Sequence, residues 1–68
     1  MRKPAVQTNE YERVNNRKPT GKGAWEFMIV TGDTELFFRW DGWYATGTDK
    51  AERVAWRLGA GTKVILLP

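Results

Sequence analysis

The side chains that most often carry out chemistry are missing from this sequence or already committed elsewhere. There is no histidine, the usual acid–base group near neutral pH, and no cysteine for disulfides or thiolate metal sites. Carboxylates remain, with six acidic residues between positions 24 and 68: Glu26, Asp33, Glu35, Asp41, Asp49 and Glu52. Each has a simpler place as ion-pair partner, turn residue or helix cap, and no two form a convincing general acid–base pair. Gly21-Lys22-Gly23 and Gly59-Ala60-Gly61-Thr62-Lys63 lack the length and helix-opening context of a phosphate loop. No enzymatic activity, metal or cofactor is therefore expected, and the chemistry left to the chain is binding.

Charge supplies the first candidate. Residues 1–23 hold six basic side chains (Arg2, Lys3, Arg13, Arg17, Lys18 and Lys22) against Glu10 and Glu12, a balance of +4. Residues 24–68 hold five basic and six acidic side chains, a balance of −1. With Pro4, Asn15-Asn16, Pro19, Gly21 and Gly23 as breakers, residues 1–23 read as a flexible basic tail with Tyr11 and Val14 as docking points, preceding a single domain over 24–68. Lysine and arginine spread through polar sequence can neutralise phosphates and release counterions, which makes this tail a nucleic-acid-binding candidate. The plain alternative is a solvated chain end.

The elements that must position any site centre on the aromatic stretch from Trp25 to Thr46. Gly32-Asp33 predicts a type II′ hairpin pairing Thr31 with Thr34, Ile29 with Leu36, Phe27 with Phe38 and Trp25 with Trp40. Asp41-Gly42 predicts a second, type I′ hairpin and a third strand from Trp43 to Thr46. Alternation then gathers Trp25, Phe27, Ile29, Leu36, Phe38, Trp40, Trp43 and Ala45 on a core face. The other face carries Met28, Val30, Phe37 and Tyr44 with Glu26, Glu35 and Arg39, and Glu26 falls beside Arg39. That open face offers rings for stacking unpaired bases, or a surface covered by the tail or by a second copy in a homodimer.

Asp49 and Glu52 predict a capped helix starting near Lys50, with Ala51, Val54, Ala55 and Leu58 on its buried stripe. Trp56 lies about 140° from Ala51 in helical projection, beside Arg53 and Arg57. Arg53, Trp56 and Arg57 thus form a second candidate site, an anchor for an acidic protein partner, unless the tail or the following loop covers the indole. Residues 62–67 read as a last strand, placed beside the first and parallel to it in the order 3-2-1-4, or beside the third. The expected fold is α+β: a three-stranded antiparallel meander, one short helix packed on one face and a C-terminal fourth strand (β-β-β-α-β).

Residues 51–68, AERVAWRLGAGTKVILLP, together with two preceding strands, resemble the small podophage inhibitors of bacterial RNA polymerase. The likeness covers roughly residues 25–68. It rests on the strand-strand-helix-strand order, Ala55 and Trp56 in the helix, Ala60-Gly61 at its end, Val64 in the final strand and the terminal Pro68. The resemblance implies a phage-like regulatory protein that wedges a compact domain against the polymerase, using charged residues that include arginines on the last strand. Here Ile65, Leu66 and Leu67 occupy that strand and only Lys63 is charged, so those contacts do not carry over.

Two function classes follow, both non-catalytic: a nucleic-acid-binding accessory protein using the basic tail, and a protein-interaction module that docks on and inhibits a host machine such as RNA polymerase. No apolar run approaches the ~20 residues of a membrane span, and residues 1–14 lack the apolar centre of a secretory signal. A cytoplasmic location is expected.

Overall fold

The computed structural model describes residues 5–68. Its elements are β1 (Val6–Gln7), α1 (Asn9–Asn15), β2 (Lys22–Thr31), β3 (Thr34–Trp43), α2 (Tyr44–Leu58) and β4 (Lys63–Leu66). The fold is α+β, a four-stranded mixed sheet in the order β1-β4-β2-β3, with β1 parallel to β4 and the other pairs antiparallel. Both helices contribute to the core on one face of the sheet, through Tyr11 of α1 and Ala51 and Ala55 of α2.

The first hairpin has the register read from the sequence, with Thr31 opposite Thr34, Ile29 opposite Leu36, Phe27 opposite Phe38 and Trp25 opposite Trp40. Gly32 has φ 56° while Asp33 stays outside the positive-φ region, as a type II′ turn requires. Trp25, Phe27 and Ile29 of β2 are buried together with Val64 and Leu66 of β4. Phe38 and Trp40 are only half-buried and Leu36 is exposed; β3 is the edge strand of the sheet, flanked by β2 alone.

The second expected hairpin is absent, so the sheet is not a three-stranded meander. β3 continues through Asp41-Gly42, because β2 begins at Lys22 and supplies partners for the extra residues: Ala24 for Asp41, Gly23 for Gly42 and Lys22 for Trp43. The indole of Trp25 donates to the carbonyl of Gly42 at 3.0 Å, and that of Trp40 donates to the carbonyl of Trp43 at 3.1 Å. At roughly 1 kcal/mol net for each hydrogen bond, this extended ladder outweighs a local turn preference. Gly42 still uses the freedom that the sequence signals, at φ 146°, and a Cβ there would sit 3.1 Å from the Trp40 Nε1. With no third strand, Trp43 moves to the open face and Ala45 to the exposed side of α2.

The helix consequently starts at Tyr44 rather than Lys50, and Asp49 is an interior residue bound to Arg53 at 3.0 Å instead of a cap. Tyr44 donates its backbone N–H to Gly21 at 2.8 Å and packs its ring on Trp25, with centroids 4.9 Å apart. Tertiary packing overrides the strand propensity of an aromatic and β-branched stretch. The buried stripe is Gly47, Ala51 and Ala55, at spacing i, i+4, i+8, while Val54 and Leu58 fall on its exposed flank. β4 pairs beside β2, the expected first strand, but antiparallel to it: β3 and β4 run the same way on either side of β2, joined by α2.

The sequence places the domain boundary at residue 24. In the structure β1 pairs Val6 with Val64, and α1 buries Tyr11 against Trp25 at a centroid distance of 5.7 Å, so residues 6–15 belong to the folded body. The Thr8 hydroxyl donates to the Glu12 carboxylate at the start of α1, and Asn16 closes the helix in the left-handed conformation at φ 56°.

Two stability measurements check this packing. Alanine at Gly47 would gain about 1 kcal/mol of helix propensity, but its Cβ would lie 2.7 Å from Cδ1 and 3.0 Å from Cγ of Trp40, near the rigid root of that side chain. Overpacking of this kind costs about 1–3 kcal/mol, so Gly47→Ala is expected to lower the melting temperature where propensity alone would raise it. Deleting residues 1–20 uncovers Trp25 and removes the buried Tyr11 ring, and is expected to cost about 3 kcal/mol or more in chemical denaturation. An unchanged denaturation midpoint would return residues 6–15 to the status of a tail.

Candidate functional site

The expected site residues segregate into separate regions. Of the six basic residues of the tail, Arg2 and Lys3 lie outside the described residues. Arg13 sits on α1 in an ion pair with Glu10 at 2.6 Å, and Arg17 and Lys18 are exposed on the link to β2. Lys22 is the first residue of β2, with its ammonium 5.2 Å from the centroid of the Trp43 ring. These groups are carried by successive elements of the fold and not by one extended arm.

Arg53, Trp56 and Arg57 are brought together. The line Gly47-Ala51-Ala55 turns one side of α2 to the sheet, which aims Arg53 and its neighbours outward. Trp56 is 47% exposed, as the helical projection predicts, and both arginines are exposed. Arg53 is held by Asp49, one turn back, an i,i+4 contact that orders its guanidinium on the helix surface. Arg57 in the last turn complements the helix dipole. Lys50, one turn before Arg53 and Val54, lies over the half-buried Trp40 ring at 5.1 Å. The outer face of α2 therefore combines one large accessible indole with three cations against the two carboxylates of Asp49 and Glu52, a small cationic excess around an aromatic anchor.

The open sheet face keeps Met28, Phe37 and Arg39 as expected, but not Tyr44, whose ring faces the core from the first turn of α2. Glu26 lies opposite Arg39 in register, yet the Arg39 guanidinium contacts Asp41, at 3.4 Å, because both point from the same strand edge. Phe37 is 71% exposed.

The pair Lys22 and Trp43 escapes the sequence reading altogether. Trp43 is 57% exposed, and it meets Lys22 only because the ladder runs past Asp41-Gly42. An aromatic residue opposite a lysine after Gly42 is the one available sequence signal, and it is legible only once the second turn is abandoned. Among the described residues no histidine, cysteine or carboxylate cluster forms a metal site, and no helix is long and apolar enough to cross a membrane.

No protein-family model, curated protein or solved structure matches this chain. The site must accordingly be judged on its own geometry.

Trp56→Ala is expected to cost about 1 kcal/mol or less in denaturant unfolding, as a change at an exposed position. Trp25→Ala, which empties the buried centre between Tyr11 and Tyr44, is expected to cost ~3–5 kcal/mol. Equal losses at the two positions would show that Trp56 belongs to the core and is not free for a partner.

Proposed function

We propose that this chain is a cytoplasmic, non-catalytic interaction module that docks through the outer face of α2 on an acidic surface of a bacterial nucleic-acid-processing machine and inhibits it. The observation that carries the reading is Trp56, 47% exposed beside Arg53 and Arg57 on the side of α2 turned away from the sheet. A rigid helix presents these side chains with little ordering left to be done on binding, and tryptophan and arginine dominate interface hot spots. The machine favoured is RNA polymerase. Support comes from the order β2-β3-α2-β4 over residues 22–66, the strand-strand-helix-strand order that the podophage inhibitor resemblance implies, now without an intervening third strand.

The test is binding of the full chain to purified bacterial RNA polymerase, with promoter-dependent transcription as the functional readout. Binding with loss of transcription is expected. Trp56→Ala, and separately Arg53→Gln with Arg57→Gln, should each weaken binding by ~2 kcal/mol or more, about thirtyfold, with the fold intact. Binding that ignores both variants removes α2 as the docking face, and absence of binding by the wild-type chain removes polymerase as the target.

A second reading, single-stranded nucleic-acid binding, is favoured by one observation: the exposed Trp43 ring with Lys22 over it, at the end of the sheet that Arg17 and Lys18 approach along the chain. Bases stack on such rings while lysines neutralise phosphates. Affinity for single-stranded DNA or RNA that falls steeply with salt and is lost in Lys22→Gln with Trp43→Ala would favour this reading over docking.

A further inference from the structure

Among the described residues no helix lies over the open face of the sheet, and the register fixes what that face displays. A central row runs Ile65, Met28, Phe37 from β4 to β3. On one side of it lies the row Lys63, Val30, Glu35, and on the other Glu26 and Arg39, with Leu67 tied to Glu26 through its backbone N–H at 2.8 Å. An apolar band ending in a phenylalanine 71% exposed is thus framed by two cations and two anions.

That balance distinguishes this face from the rest of the surface. Nucleic acid is poorly served by this part of the face, since Glu26 and Glu35 offset Arg39 and Lys63. The outer face of α2, with Lys50, Arg53 and Arg57 against Asp49 and Glu52, keeps an excess of cations and is less well matched to its own copy. A two-fold interface presses one patch against itself, so it needs an apolar centre and both signs of charge at the rim.

We infer that the open sheet face is a homodimer interface, in which the row Ile65-Met28-Phe37 of one copy packs on the same row of the other. Two symmetric arrangements place these rows together. With the two-fold axis along β2, β3 of one copy lies over β4 of the other, so Phe37 meets Ile65 and Glu35 meets Lys63. With the axis along the central row, the outer rows exchange places, so Phe37 meets Phe37 and Glu35 meets Arg39. The usual rotation of about 30° between packed sheets leaves these as the nearest opposites. Glu35 faces a cation of the partner copy either way. Arg39 can accept it, because its contact with Asp41 is a long one at 3.4 Å and a guanidinium has five donors. The dimer leaves Arg53, Trp56 and Arg57 uncovered, as they lie on the opposite side of the molecule, so this inference stands apart from the docking reading.

Sedimentation velocity of the full chain over a wide concentration range reads the association directly. The expected result is a species of twice the 7.8 kDa chain mass that dissociates on dilution. Phe37→Glu should raise the dissociation constant by at least about tenfold without altering the thermal melt, as its ring makes little intramolecular contact. Glu35→Lys should also weaken the dimer, and a compensating reversal should restore it: Lys63→Glu for the first arrangement, Arg39→Glu for the second. A chain that stays monomeric throughout would overturn the inference. So would a dimer indifferent to Phe37→Glu, which would point to pairing along the β3 edge, or a Glu35→Lys defect that neither reversal repairs.

Discussion

Everything in this small fold depends on how closely α2 can approach the sheet. Gly47, Ala51 and Ala55 keep side-chain bulk off one line of the helix, and the aromatic rings of Trp25, Phe27 and Trp40 on the sheet, joined by Tyr44 from the first turn of α2, fill the space between the layers. At Gly47, against Trp40, even a methyl group would collide. A domain of 68 residues buries a modest fraction of its surface, so it needs large rings on one layer and small residues on the other to reach protein-like packing density. Because the small residues face inward, the long ones of α2 face outward, and the exposed cluster of Trp56 with its arginines is a direct consequence of the core.

The same constraint explains why the two broad surfaces differ. The helical layer turns cations and an indole to solvent, while the uncovered sheet face shows an apolar row framed by balanced charges. Each composition underlies the partner proposed for it: an acidic protein surface for α2, a second copy of the chain for the sheet. The tail, read from sequence as a separate phosphate-seeking arm, contributes Val6 and Tyr11 to the body instead. Its described cations, Arg13, Arg17, Lys18 and Lys22, are spread over α1, the link after it and β2, and this spread is why docking is the reading proposed first.

Legibility followed the strength of local signals. The Gly32-Asp33 hairpin was readable because alternation, turn chemistry and the Glu26 and Arg39 register agreed, whereas the last strand had two possible places and its antiparallel pairing with β2 differs from the parallel one expected. Asp41-Gly42 misled because the dipeptide is a strong turn former in isolation, whereas the competing ladder partners, Lys22 to Ala24, sit among glycines that read as breakers. Once that strand was misplaced, Tyr44 and Thr46 read as β residues and the helix lost its first turn and a half. β1 and α1 were invisible for another reason: a two-residue strand and a seven-residue polar helix have almost no periodicity, and only Val6 and Tyr11 tie them to the core. At the site, Arg53, Trp56 and Arg57 were legible because helical projection depends on spacing and not on where the helix begins. The Lys22 and Trp43 pair was not, since it exists only in the longer register.

Hydroxyl-radical footprinting of the dilute, free chain, read by mass spectrometry at individual aromatic residues, tests this two-layer arrangement most directly. Trp43 and Trp56 should oxidise rapidly, while Trp25 and Tyr11 should react only as fast as the chain unfolds. Protection of Trp43 to the level of Trp25 would mean that it faces the core across a hairpin at Asp41-Gly42, and rapid oxidation of Tyr11 would detach α1 from the sheet; either result contradicts the fold and the surfaces derived from it.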